Sequence, residues 1–425
     1  MAIQRISINQ LIPGMYLVEM DVPWYRTPFL SHKFVIKDLD TVQIMKRHGI
    51  KMVKIDTGKG LDVSSPCAPP LASQEGPEPH AQPQPPSLDS LPPAGTTASD
   101  GGTPRNADQP PSAIYAQALE AVEHLFTDLE RGIAPSPEAT KGIVSNVLDN
   151  VLSNQGAMVT QLAIQKIKQF DRSLTTHALD TCILSLLVAV ESGLDQSTQE
   201  LVGMGALLHD TGYVRLPRNL VRKREECTGQ DKALLEQHCK LGVAVLSERP
   251  GMPDDVLRIV REHHERGNGS GFPAGLQSDQ TSKLAQIVGI VDFYDGMVSR
   301  RGTRPAMTPH DAVRQLFLTG ERGQFEKSLV ELMIRSIGVY PVGSLIRLNS
   351  GEQAVVIGVN SQQRLKPLVK ITTDPQGNAY ATPIEMDLAS PSADHTVRSV
   401  LRVLDPAQER VNIGIHLDSP DLRAA

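Results

Sequence analysis

Residues 263–276 read HHERGNGSGFPAGL. Two adjacent histidines close a stretch, PDDVLRIVREHH, whose apolar residues fall at helical spacing. Four glycines and a proline then end all regular structure. Paired imidazoles at a helix end, facing a glycine-rich loop, suit a polar centre set into a helical block. The residues around them decide whether such a centre exists.

Moving outward, His177 lies in LTTHALDTCILSLL, and His209 and Asp210 end LVGMGALLHD, with Gly212 as a stop. His238 lies in ALLEQHCKLGVAVL, and Asp292 lies in KLAQIVGIVDFYDGM. Successive groups are 25 to 32 residues apart, enough for a helix, a loop and part of a second helix. Antiparallel helices of that length would return each group to one end of a bundle. The donors are imidazole and carboxylate without thiolate, which suits Fe, Mn, Zn or Ni. Asp210 has two oxygens and can bridge two cations. His209, about 100° away around the helix, can serve only one of them. Two cations so held would clamp a phosphate and polarise a water. A lone histidine is more often a packed or solvated residue, and His32, His48, His80, His124, His310, His395 and His416 lack such surroundings. Cys239 beside His238 reads as a small apolar packing residue.

Composition narrows the classes. A net charge of −6 and a pI near 6.1 argue against a binder of nucleic-acid polymers or anionic membranes. Aromatic residues are 4% of the chain, and the four cysteines form no CxxC pair. The N-terminus has no apolar leader, and runs such as CILSLLVAV are too short to span a bilayer. A cytoplasmic protein is expected.

The expected organisation is multidomain and mainly α. Residues 1–63 form a small α+β domain, with MYLVEM, KFVI and KMVKID as strands around one helix. Residues 64–112 hold 13 of the 31 prolines and read as a disordered tether. A helical connector at 113–159 leads into an all-α block at 160–340. A β-rich extension follows at 341–425, where SVLRVLD and VNIGIHL are read as further strands.

The set H…HDTG…H…HHExxNGSGFP…D resembles the HD-GYP domain, a bacterial subgroup of HD-type metal phosphohydrolases acting on cyclic di-GMP. The first 63 residues resemble the small domain of unknown function often fused to it, and PVGSLIRLNSGEQAVVIGVN resembles its usual β-rich tail. The resemblance implies an all-helical core in which His177, His209, Asp210, His238, His263, His264 and Asp292 bind metal. Fe or Mn is the usual choice, with Zn or Ni as alternatives. Trinuclear members carry a glutamate where Ser173 stands, so a binuclear centre is implied. Arg301 and Arg304 match substrate-phosphate positions, and Gly271, Phe272 and Pro273 match the Gly-Tyr-Pro loop. Free N–H groups in that loop would face phosphate or a partner protein.

Three departures stand out. Phe272 lacks the tyrosine hydroxyl, and Asn268 replaces an aspartate in a way that should alter loop hydrogen bonds more than chemistry. Tyr213 replaces the lysine of HD-x-G-K, so a phenol stands where an ammonium would stabilise the transition state. Arg215 is the nearest substitute cation in the sequence. The implied activity is hydrolysis of cyclic di-GMP to pGpG or GMP, with Asp210 and Tyr213 at the reacting centre. The alternative is a slow or inactive module that senses the nucleotide or docks partners such as diguanylate cyclases or motility regulators. A homodimer through residues 113–155 is a further expectation.

Overall fold

The computed structural model describes residues 3–21, 34–36, 39–47, 50–61, 110–168, 173–299, 306–360, 363–390 and 397–417. The chain divides into two compact units, Met1–Arg105 and Asn106–Ala425. The proline-rich tether lies almost wholly outside the described residues.

In the first unit, β1 (Ile3–Ser7), β2 (Tyr16–Met20), β3 (Phe34–Val35) and β4 (Met52–Asp56) form one antiparallel sheet in the order β1-β4-β2-β3. The helix α1 (Leu39–Arg47) buries Val42 and Met45. Leu17 and Ile55 complete a small core.

In the second unit, α2 (Pro111–Glu130) and α3 (Pro137–Ser153) precede α4 (Gln155–Lys168). Ser136 caps α3 by accepting from the Ala139 N–H. The central helix is α5 (Leu174–Glu191), buried without a break from Thr176 to Ala189. It is long and apolar enough to cross a membrane by composition, but 78% of it is buried inside the protein, as expected of a helix apolar on all sides. Against it pack α6 (Gln196–Leu208), capped by Asp195, and α11 (Lys283–Val298), and α10 (Asp254–Glu262) packs in turn on those two. The short helices α7 (Arg218–Arg222) and α8 (Gly229–Leu235) lead to α9 (His238–Ser247). After α11 come α12 (Pro309–Glu321) and α13 (Lys327–Ile337). Ile114, Tyr115, Val122, Phe126 and Leu129 of α2 are buried in this unit.

The C-terminal strands β5 (Leu345–Leu348), β6 (Gln353–Gly358), β7 (Leu368–Thr373), β8 (Ala379–Asp387) and β9 (Val400–Leu404) form a five-stranded antiparallel sheet. Its order is β8-β7-β6-β5-β9. Ile346, Val356, Val369 and Ile371 form its core. The Thr160 hydroxyl of α4 donates to the Ile357 carbonyl at 3.3 Å and ties the sheet to the helical block.

One expectation needs correction. VNIGIHL is not a strand: Ile413–Leu417 is a helix, α14. Ile413 and Leu417, one helical turn apart, are its buried residues, and a β alternation would have faced them the same way only at even spacing with Ile415, which is 69% exposed. The stretch ALLEQHCKLGVAVL is divided at Glu236–Gln237 between α8 and α9, and His238 begins α9.

Candidate metal centre

Four helix ends of alternating direction meet. His177 is in the first turn of α5, His209 caps the end of α6, His238 opens α9 and His263 caps the end of α10. Asp292 comes instead from the body of α11. The approach is close because Gly212 carries no side chain: a Cβ there would stand 1.9 Å from the His238 carbonyl oxygen. That glycine does more than stop a helix, since it lets the turn after Asp210 lie against α9.

Hydrogen bonds aim the imidazoles. The Nδ1 atoms of His209, His238 and His263 lie 2.7, 2.7 and 2.9 Å from the carbonyls of Ala206, Leu235 and Val260. A carbonyl only accepts, so each Nδ1 carries the proton and each Nε2 turns a lone pair inward. Nε2 of His209 lies 3.3 Å from Nε2 of His177, and Nε2 of His238 lies 3.3 Å from Nε2 of His263. Facing lone pairs repel unless a proton or a metal cation stands between them. Two nitrogens bound to one metal at about 2.1 Å would lie roughly 3.0–3.4 Å apart, so these separations fit ligand pairs.

Asp210 spans the two halves. Its Oδ2 is 3.5 Å from His177 Nε2 and 3.4 Å from His209 Nε2. Its Oδ1 is 3.4 Å from His238 Nε2 and 3.9 Å from His263 Nε2. Asp292 Oδ1 is 3.1 Å from His177 Nε2, while Oδ2 is 3.7 Å from His264 Nδ1. Two donor groups result: His177, His209 and Asp292, and Asp210, His238, His263 and His264. This donor set fits two divalent cations of the first transition row.

The electrostatics agree. Burial opposes ionisation of Asp210, but His209, His238 and His177 hold its carboxyl well below the usual range. Burial likewise opposes ionisation of Asp292, and His177 and His264 outweigh it. Burial, with the charges of His209 and His238, pushes His263 down to about 3, and burial holds His264 well below its ordinary value. Burial also lowers His238. Ionised carboxylates and neutral imidazoles are the forms that bind metal. His209 differs: burial would lower it, yet the adjoining Asp210 holds it up at about 9, so a cation would displace its proton. Burial raises the Cys239 thiol well above its ordinary value, which keeps it protonated.

The 263–276 loop is anchored from within. Glu265, 4% exposed, accepts from the N–H groups of Ala274 at 2.7 Å and Leu276 at 2.8 Å. Phe272 N–H donates to the His264 carbonyl at 3.2 Å. Gly267, Gly269 and Ser270 also use their N–H groups, bonding Gln324 O, Arg266 O and Asn268 Oδ1. The expectation that these N–H groups are free for phosphate is therefore corrected, because the loop uses them to hold its own shape. Asn268 acts on the loop, accepting from Ser270 and donating to the Arg322 carbonyl at 3.3 Å. A Cβ at Gly271 would stand 2.4 Å from Arg266 N, so only glycine fits that approach.

Phe272 lies against His264, ring centroids 4.5 Å apart, and 6.1 Å from His238. Gly271 and Pro273 flank it and are half-buried. Tyr213 stacks on His238. Arg215 does not replace the missing lysine charge, because it pairs with Glu248 at 2.8 Å. Arg224 lies 5.7 Å from the Tyr213 ring instead. Arg301 and Arg304 lie outside the described residues. Ser173 caps α5 by accepting from the Thr176 N–H. One residue escaped the sequence reading: Asp295, whose Oδ2 lies 2.7 Å from His177 Nδ1. Its only signal was its place one helical turn after Asp292.

Comparison with known proteins follows this geometry. An HD domain matches residues 147–329, a domain of unknown function (DUF3391) matches 3–140, and a KOW domain associated with HD domains matches 345–406. The DUF3391 match runs beyond the first compact unit and includes α2. A cyclic di-GMP phosphodiesterase, PA4108 of Pseudomonas aeruginosa, is 27% identical over 87% of this chain and 85% of its own. A 3′3′-cGAMP-specific phosphodiesterase of Vibrio cholerae is 29% identical over 44% of this chain and 36% of its own. The cyclic di-GMP phosphodiesterase response regulator RpfG of Xanthomonas campestris is 30% identical over 35% and 39%. Among solved structures, Bd1817, an HDG"Y"P protein from Bdellovibrio bacteriovorus, covers 78% of this chain and 98% of its own, at 16% identity and a TM-score of 0.45.

Proposed function

We propose that this chain, an HD-domain protein with an N-terminal DUF3391 segment and a C-terminal KOW domain, hydrolyses cyclic di-GMP at the centre built around Asp210. One observation carries the reading: the two oxygens of Asp210 face two separate histidine pairs. Bound divalent cations, iron or manganese as the HD-GYP resemblance implies, would neutralise a phosphate and activate water.

The chain's own residues set how the substrate meets that centre. His177, His209, His238 and His263 have side chains at most 2% exposed, whereas His264 is 19% exposed. The centre is therefore open on the His264 side. Phe272 lines that approach and offers a ring face to a nucleobase. Gly271 and Pro273 hold the ring there. We assign Arg301 and Arg304 to the substrate phosphates through their bidentate guanidinium forks.

The same centre could serve another cyclic dinucleotide, as in the V. cholerae relative. Purified, metal-loaded full-length protein should convert cyclic di-GMP to pGpG or GMP, faster than it cleaves 3′3′-cGAMP, in a chromatographic product assay. A preference for 3′3′-cGAMP would change the substrate. Tyr213 favours a second reading, a slow or inactive module that senses cyclic di-GMP or docks a regulatory protein. Metal-dependent binding without any product would establish that reading and reject the first.

A further inference from the structure

Among His177, His209, His238 and His263, only His177 has its Nδ1 held by a carboxylate; backbone carbonyls hold the other three. That carboxylate, Asp295, lies in α11 and is 0% exposed. Its other oxygen, Oδ1, is paired with the Lys166 ammonium of α4. Lys166 also reaches Asp180 Oδ2 of α5 at 3.4 Å, and Asp180 Oδ1 accepts from the Tyr115 hydroxyl of α2 at 2.7 Å. The lysine side chain is 9% exposed and both aspartates 0%. A continuous buried chain runs Tyr115, Asp180, Lys166, Asp295, His177.

A carboxylate behind a ligating imidazole fixes its tautomer and raises its basicity. An aspartate carrying a full charge beside Nδ1 could instead draw the proton toward itself and leave His177 anionic in character. The ammonium on its far side limits that pull and fixes the direction of the carboxylate. We propose that Lys166 is a positioning residue of the metal centre. Through Asp295 it sets the orientation of His177, and Tyr115 and Asp180 fix Lys166 in turn. Because Tyr115 belongs to α2, which falls within the DUF3391 match, the chain also gives that segment a physical grip on one metal ligand. The inference rests on reading His177 as a ligand.

The test uses metal-stripped full-length protein titrated with Mn²⁺. Lys166→Met should weaken binding 10- to 100-fold at one of two sites, the range seen when such outer partners are removed, and leave the other site within threefold. Removing one ammonium from between two buried carboxylates could unfold the protein. Lys166→Met combined with Asp180→Asn avoids that by leaving one carboxylate, and should show the same selective loss. Lys166→Arg, which keeps the charge, should recover at least part of the affinity. Thermal melts separate positioning from general support. A positioning role shrinks the Mn²⁺-induced rise in Tm, whereas mere support lowers Tm equally with and without Mn²⁺. Unchanged affinity at both sites in the double variant, or an equal fall in Tm, would overturn the inference. His177→Ala serves as the reference. If it too keeps both Mn²⁺ sites, the assignment of His177 as a ligand fails; if it loses one while the lysine variants lose none, only the role of Lys166 fails.

Discussion

The Tyr213 ring lies flat on the His238 imidazole, with centroids 4.3 Å apart and planes 14° apart. The residue that replaces a motif lysine thus supports a candidate ligand from outside. Two effects of its removal can be separated. Tyr213→Lys should raise turnover on the order of 10² at saturating metal, since an ammonium stabilises transition-state charge that a phenol cannot. The same change should weaken metal binding, because the stack on His238 is lost. Tyr213→Phe keeps the stack and should leave metal affinity within about twofold. Metal titration followed by turnover at full occupancy checks all three, and a slower lysine variant at full occupancy would make Tyr213 a working part of the site.

Asp210→Ala should strip most metal from the protein, because the two oxygens of this one carboxylate face both histidine pairs. His124→Ala should leave metal content unchanged. Elemental analysis of the purified variants decides the matter. Retention of one full equivalent in Asp210→Ala would remove the bridging role.

The metal-free protein should be most stable near pH 6.5. His263, held down at about 3 by burial and by His209 and His238, binds its proton more readily when unfolded, so its contribution is lost as pH falls from 6.5 toward 3. His264, also depressed, acts in the same direction. His209 acts oppositely. Burial works against its charge, but Asp210 holds it at about 9, so its contribution is complete below 6.5 and lost as pH rises to 9. Mn²⁺ should abolish the alkaline fall by taking the place of that proton. Melting curves across pH 5 to 9, with and without Mn²⁺, test this; a steady rise in Tm with pH in the metal-free protein would contradict it.

Glu265→Ala should free the Phe272 loop. Two backbone N–H groups, at Ala274 and Leu276, lose their acceptor, at a cost of about 2–3 kcal/mol if they stay dry. KM should rise more than kcat falls, because the segment around Phe272 that Glu265 anchors carries none of the candidate ligands. Urea unfolding and steady-state kinetics measure the two effects, and unchanged KM would place the loop outside substrate binding.

Residue type and spacing carried much of this protein. The period-3.6 runs and their Gly and Pro stops marked the second unit as helical, and MYLVEM, KFVI, KMVKID and SVLRVLD located β2, β3, β4 and β9, while β1 went unread. Donor type and spacing singled out His177, His209, Asp210, His238, His263, His264 and Asp292 as candidates, and the resemblance to the HD-GYP pattern implied that they bind metal. VNIGIHL was misread because a short apolar run satisfies either period, and packing against α4 and β6 decided for helix. The loop's N–H groups seemed available because sequence does not say which acceptor lies near; Glu265 was one, and the fold aimed it at Ala274 and Leu276. Lys166, Asp180 and Tyr115 gave no signal, since they come from three helices and meet only when those helices pack. Local periodicity is a property of neighbours in the chain. The partner of a buried charge is a property of neighbours in space, and only the tertiary structure chose Asp295 for His177.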